Sequence, residues 1–260
     1  MMGKIMYGLV AATGSGINGG KEFVDGDFLC ENTGEAVTVT GYTGGAKDLA
    51  VPGQLGGLPV TIVGKNAFAG KQLTGIALPD SVRAIGAGAF SWNKLAQLTI
   101  SDSLFAIGAE AFSWNRLVQL VISGSVTVIG DYAFYKNRLT HLVIPGSVRT
   151  VGDFAFEENQ LISVTIGDGV TAIGDFAFAY NRLPGITIPD SVTAIGEAAF
   201  WKNRLSRVTI PSNVMIKAGS YPSFPGNFDT VYIQKYNRSA GTYTCNDNTW
   251  TKQRPDEYGR

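Results

Sequence analysis

Phenylalanine recurs at Phe68, Phe90, Phe112, Phe134, Phe156, Phe178 and Phe200, each 22 residues after the last and each preceded by alanine. A strict period of about 20–50 residues marks a solenoid, in which one short unit is stacked many times. One unit of that size cannot bury its own apolar face, so the neighbours must do it, and the repetition is first of all a folding device.

Setting the repeats in register exposes further apolar columns. Leu73, Leu95, Leu117, Leu139, Leu161, Leu183 and Leu205 form one, and Ile76, Leu98, Leu120, Leu142, Val164, Ile186 and Val208 the next. Two residues on stand Leu78, Ile100, Ile122, Ile144, Ile166, Ile188 and Ile210. A pair such as Leu142 and Ile144, separated by one residue, has the period of a short strand with alternate side chains buried. Val82, Leu104, Val126, Val148, Val170, Val192 and Val214 follow, then Ile85, Ile107, Ile129, Val151, Ile173 and Ile195. The glycine after this last column (Gly86, Gly108, Gly130, Gly152, Gly174, Gly196) marks a turn. The segment after it is too short for a full helix and is expected to make one helical or 3₁₀ turn. Asp131, Asp153, Asp175 and Glu197 open that turn, where a carboxylate can cap free N–H groups.

The repeat LxxLxIPxxVxxIGxxAFxxN, carried by "LTHLVIPGSVRTVGDFAFEEN" (139–159) and its copies, resembles the leucine-rich repeat of the treponemal or BspA-like type. The resemblance covers residues 45–215, and "GEAVTVTGYTGGAKDLAVPGQLGGLPVTIVGKNAFAG" (34–70) and "AGTYTCNDNTW" (240–250) are similar to opening and closing segments of that family. It implies an α/β-type solenoid. The expected form is a right-handed leucine-rich-repeat horseshoe with a concave parallel β-sheet, a convex side of short helical or 3₁₀ turns, and β-rich caps at both ends. It also implies a bacterial protein that is exported, secreted, periplasmic or on the cell surface, with binding or adhesion roles and no catalysis. In such repeats the asparagine column, here Asn93, Asn115, Asn137, Asn159, Asn181 and Asn203, turns inward and hydrogen-bonds loop backbone that would otherwise be orphaned.

The ends depart from the period. Residues 1–19 carry a lysine, a short apolar run (Ile5–Ala12) and small residues, the order of an export signal near the short limit of its apolar core, and are read as a leader or disordered segment. Residues 20–60 are expected to form an N-terminal cap with a hairpin from "DFLC" and "EAVTVTGY". The array is placed at 61–215, a C-terminal cap at 216–250 with "TVYIQKY" (230–236) as a candidate closing strand, and a polar tail at 251–260. The two cysteines, Cys30 and Cys245, belong to opposite caps. About seven rungs at roughly 4.8 Å separate them, some 35 Å, so they cannot pair within one chain.

Function is constrained mostly by exclusion. Formal net charge is zero, so no global basic field points to nucleic acid, and no run of about 18 apolar residues is present to span a membrane. There is one histidine, His141, with no HExxH, GxSxG, P-loop or CxxC, so an enzyme is not expected. No metal site and no cofactor are implied. The default binding surface of a solenoid is its strand face. The outward positions here are Gln97, Thr99, Gln119, Val121, His141, Val143, Ser163, Thr165, Thr187, Arg207 and Thr209. A second candidate lies along one edge, where Lys94, Arg116, Arg138, Arg182 and Arg204 form a positive ladder, broken by Gln160, beside Trp92, Trp114 and Tyr180. Arginine over tryptophan would be a cation–π arrangement, and such residues are enriched in binding hot spots. The resulting expectation is a non-enzymatic module for a protein or glycan partner. Two alternatives stay open: a structural, self-associating solenoid that forms homo-oligomers, and a binder of a small hydrophobic or polyanionic ligand.

Overall fold

The computed structural model describes residues 20–253 apart from 213, 236, 247 and 248, so the leader segment and most of the polar tail lie outside the described residues. The chain winds into a β-solenoid of about eight turns built on parallel strands, with few helices. Its axis is an aromatic spine. Phe68, Phe90, Phe112, Phe134, Phe156, Phe178 and Phe200 are all fully buried. Neighbouring rings stack nearly parallel, with centroids 5.1–5.6 Å apart. Although the 22-residue period lapses after Val214, Phe224 takes the next place in the spine, 5.0 Å from Phe200.

The longest sheet is one that the repeat pattern hides. The column read as the last aliphatic before a turn is itself a ladder of two-residue strands: Ala84–Ile85, Ala106–Ile107, Val128–Ile129, Thr150–Val151, Ala172–Ile173, Ala194–Ile195 and Met215–Ile216. They pair in parallel and continue, through Leu58–Val63, into the antiparallel strands Val37–Tyr42, Phe28–Asn32 and Lys21–Asp25. The glycines at the end of this ladder allow rungs to approach closely. A Cβ added at Gly130 would lie 2.6 Å from the backbone nitrogen of Ala109, and one at Gly152 2.6 Å from that of Asp131.

The strands expected from the Leu142/Ile144 spacing are present, with Leu142 and Ile144 buried and His141 and Val143 exposed. They are hydrogen-bonded in groups rather than as one continuous sheet: 48–50 with 75–77, 97–99 with 119–121, 141–144 with 163–166, and 185–187 with 207–210. At the last break Pro184 begins the rung, and proline has no N–H to offer the strand before it.

The segments expected as helical or 3₁₀ turns are instead turns bonded from rung to rung. Phe112 N–H donates to the Ala133 carbonyl at 2.8 Å and Trp114 N–H to that of Tyr135 at 2.9 Å. Each turn holds residues in the left-handed region, such as Glu110 (φ 57°), Trp114 (φ 54°), Tyr132 (φ 56°) and Lys136 (φ 52°). Two such residues in five end any helix before it begins. The acidic column caps the following rung rather than its own turn: Asp131 Oδ1 accepts from Asp153 N–H at 2.8 Å, and Asp153 Oδ1 from Asp175 N–H at 2.7 Å.

At the C-terminal end residues 230–235 of "TVYIQKY" do not form the expected strand. Phe228–Thr230 and Val231–Lys235 are helical. Asp229 accepts the N–H groups of Ser223 and Phe224, and Phe228 and Tyr232, one turn apart, both face the core. Tyr232 is locked there by donating to the Pro211 carbonyl at 2.7 Å while accepting from Val214 N–H. Phe228 and Tyr232 lie four apart, the spacing that puts two side chains on one face of a helix. The strands at this end are Gly241–Asn246 and Thr249–Lys252, antiparallel to each other, the first also antiparallel to 207–210. Strand 249–252 therefore takes in two residues of the stretch read as a polar tail. Cys30 is buried and Cys245 half-buried, and both are free thiols.

Candidate functional site

Two surfaces carry the candidate residues, and both are set by the rung. On the strand face, every second side chain must point outward because its neighbours fill the core. Gln97, Thr99, Gln119, Val121, His141, Val143, Ser163, Thr165, Thr187 and Arg207 are all exposed. Thr209 is only half-buried, since strand 241–246 lies beside it and the Thr209 and Thr242 hydroxyls share a hydrogen bond of 3.0 Å. Register places Gln97 beside Gln119, Thr99 beside Val121, His141 beside Ser163, Val143 beside Thr165, and Thr187 beside Thr209. Val121 and Val143 are each 62% exposed, in the middle of the face.

Where the ladder breaks at Pro184, the face opens into a groove of about 710 Å³. Ser163, Thr165 and Asp168 line one side, and Pro184, Thr187 and Arg207 the other, with Gly185 contributing no side chain. His141, whose Nδ1 lies 3.1 Å from the Thr140 hydroxyl, is an exposed surface histidine outside this groove. Among the described residues no group of three or more His, Cys, Asp or Glu side chains could hold a metal ion.

The second surface is the turn side. Lys94, Arg116, Arg138, Arg182 and Arg204 are exposed as a column, held in line because their backbone N–H groups donate to the leucine carbonyls of the preceding rung. Trp92, Trp114 and Tyr180 are exposed too, Trp92 by 55%. Trp92 and Trp114 stack with centroids 4.2 Å apart. The expected arginine-over-tryptophan contact is not what forms. The cation over Trp114 is Lys136, its Nζ 4.1 Å from the ring centroid, and Lys202 lies 5.0 Å from that of Trp201. Lys136 shares the left-handed turn position of Trp114, one rung on, which places its ammonium over that ring.

Sequence reading missed most of this ridge. Tyr132, Phe154 and Phe176 stack in series at 4.5 and 4.9 Å. Trp201 and Tyr221 extend the cluster, and Tyr135 meets both Trp114 and Tyr132 edge-on. The signal was the aromatic run at the residue two before each spine phenylalanine. It was obscured because Gly88, Glu110 and Ala198 occupy the same column in other rungs.

Comparison with known proteins agrees with the rung geometry. The sequence profile of the BspA type leucine rich repeat region, in six copies, matches residues 61–183 and 127–249. A leucine rich cell surface protein from Faecalibacterium prausnitzii is 27% identical, with a TM-score of 0.66 over 91% of this chain. This chain spans 62% of the length of that protein. The leucine-rich repeat protein of T. pallidum is also 27% identical, with a TM-score of 0.52 over 70% of this chain and 85% of its own. Among curated proteins nothing matches. Repeat, spine and profile agree over most of the chain, which belongs to the BspA-type leucine-rich-repeat family.

Proposed function

We propose that this chain is a non-enzymatic binding module that takes a protein or glycan partner on its strand face. In this reading that face is the concave side of a right-handed horseshoe, and the aromatic ridge belongs to the convex side. The antiparallel strands at either end act as caps, at 20–60 and 216–250, around an array at 61–215. The observation that carries it is the uncovered pair Val121 and Val143, beside a groove whose rim is polar and adaptable. β-Branched residues favour strands for their own sake, but two valines left this exposed at the centre of a broad face are apolar surface for a partner to bury. The likeness to a cell surface protein supports an exported or surface location.

The test is selection of peptides from a displayed random library against the wild-type chain, with Val143→Arg and Thr165→Arg as counter-targets. Binders that lose both variants and keep a Trp92→Ala variant support the strand face. Binders indifferent to Val143 and Thr165 remove it. Light scattering over a concentration series is the companion measurement. A mass that grows with concentration, and is monomeric in Trp92→Ala, would replace the reading with self-association through the turn side.

A further inference from the structure

The aromatic ridge carries a second, smaller cavity of about 200 Å³, open to solvent and lined by Glu110, Ser113, Trp114, Tyr132 and Tyr135. We propose that it is a binding site for an alkylammonium group of the primary-amine class.

The walls have the form that a cation needs. Tyr135 stands at 87° to Trp114 and 85° to Tyr132, with centroids 5.9 and 5.6 Å away, so its ring is edge-on to both of the others beside the space. Ring faces carry the negative end of the aromatic quadrupole and attract ammonium groups within about 6 Å. The chain already shows this in its own residues. The Lys136 ammonium sits 4.1 Å from the Trp114 centroid and 5.3 Å from that of Tyr135, with Glu158 Oε2 3.4 Å away.

The local field has the same sign preference. Burial pushes the Tyr132 phenol above its ordinary range, and the carboxylates of Glu157, Asp153, Asp131 and Glu110 push it further. Of these carboxylates Glu110 lines the cavity itself, where it repels an anion and attracts a cation, while the Lys136 ammonium over Trp114 is already paired with Glu158. A purely apolar ligand would leave the Glu110 carboxylate facing it.

Ser113 narrows the class. It is 1% exposed, it lines the cavity, and its hydroxyl has no hydrogen-bond partner. One rung back the equivalent hydroxyl, Ser91, donates to the Gly88 carbonyl at 3.0 Å. A buried hydroxyl without a partner is costly, and an N–H donor in the cavity gives Ser113 Oγ a bond to accept. A primary ammonium offers three such donors and a quaternary ammonium none. The volume admits one head group and not a whole metabolite, whose pockets run to about 300–1,000 Å³. The group is therefore the end of a lysine-like side chain or a small free amine.

The test is titration of the full chain with n-butylammonium chloride, followed through the Trp114 indole N–H resonance, with sodium chloride as the ionic-strength control. A saturable shift is expected, weakened at least fivefold in Glu110→Gln and in Tyr132→Leu and unchanged in Trp201→Leu. Tetramethylammonium should bind more weakly, because it leaves Ser113 unpaired. Nα-acetyl-lysinamide distinguishes the sources: tighter binding than butylammonium indicates a partner's side chain, weaker binding a free amine, and both uphold the site. A shift no different from that of sodium chloride, or one equal in wild type and Glu110→Gln, overturns the proposal. Equal affinity for tetramethylammonium overturns the primary-amine assignment. Should Tyr132→Leu fail to fold, the exposed Glu110→Gln decides alone.

Discussion

Asn137 donates its side-chain amide to the carbonyl of Phe112, one rung back, across 2.9 Å. The same NH₂ reaches the carbonyl of Phe134 at 3.1 Å, while Asn137 Oδ1 accepts from Leu117 N–H at 3.0 Å. One buried side chain thus satisfies backbone groups of two successive rungs. Asn93, Asn115, Asn159, Asn181 and Asn203 repeat the arrangement. Replacing Asn137 by alanine orphans the buried Leu117 N–H and removes a donor from the Phe112 and Phe134 carbonyls. At about 1–3 kcal/mol for an unsatisfied group, urea unfolding should show a loss of roughly 2–4 kcal/mol. Asn137→Asp should not rescue it, because a carboxylate has no hydrogen to give Phe112. Full stability in Asn137→Ala would mean that these bonds add nothing.

The glycine column makes a steric claim. Gly130→Ala puts a methyl 2.6 Å from the Ala109 backbone, so rungs must part, at a cost of about 1–3 kcal/mol. Gly124→Ala, with nothing within 4 Å of the new carbon, should be neutral or slightly stabilising. Thermal unfolding of the two variants side by side separates close approach from a general intolerance of alanine.

Left-handed turn residues carry strain that glycine would relieve. Lys202 is exposed at φ 56°, a conformation costing about 1–2 kcal/mol for an ordinary L residue. Lys202→Gly should therefore raise the unfolding midpoint, and Lys202→Ile should lower it, since β-branching crowds that region further. The reverse order would show that the Lys202 contact with Trp201 outweighs backbone strain.

Glu157 links stability to pH. Burial, and then the neighbouring Glu158, raise its carboxyl to about 7, against 4.5 for an ordinary glutamate, with Lys136 acting in the other direction. Between those values the folded state holds the proton and the unfolded state has lost it. Stability from this group is therefore present at low pH and lost as pH rises from about 4.5 through about 7. The melting temperature should fall over that window and level off above it. Glu157→Gln should flatten the fall and melt higher than wild type at pH 8. An unchanged slope in the variant would assign the dependence elsewhere.

The 22-residue period made the spine, the leucine and asparagine columns and the alternating strand face legible, because each is a side chain that every rung must repeat. The long ladder through Ile85, Ile107 and Ile129 was not, since strands of two residues leave no alternation to read. Phe224 was missed because it comes 24 residues after Phe200. The helical 228–235 segment was missed because its two core aromatics suit either period. On the turn side, Trp92, Trp114 and Tyr180 stood out by type. Tyr132 and Tyr135, which wall the small cavity, belong to columns whose other members run from glycine, alanine and serine to glutamate, phenylalanine and tryptophan. A site made by variation within columns escapes a reading that looks for what repeats.

The central claim, that the strand face takes the partner, is tested most directly by calorimetric titration of a selected peptide against wild type and Val143→Arg. A loss of at least tenfold in affinity is expected for Val143→Arg, with Trp92→Ala binding as wild type. Undiminished binding to Val143→Arg, with loss in Trp92→Ala, would contradict the claim and move the interface to the turn side.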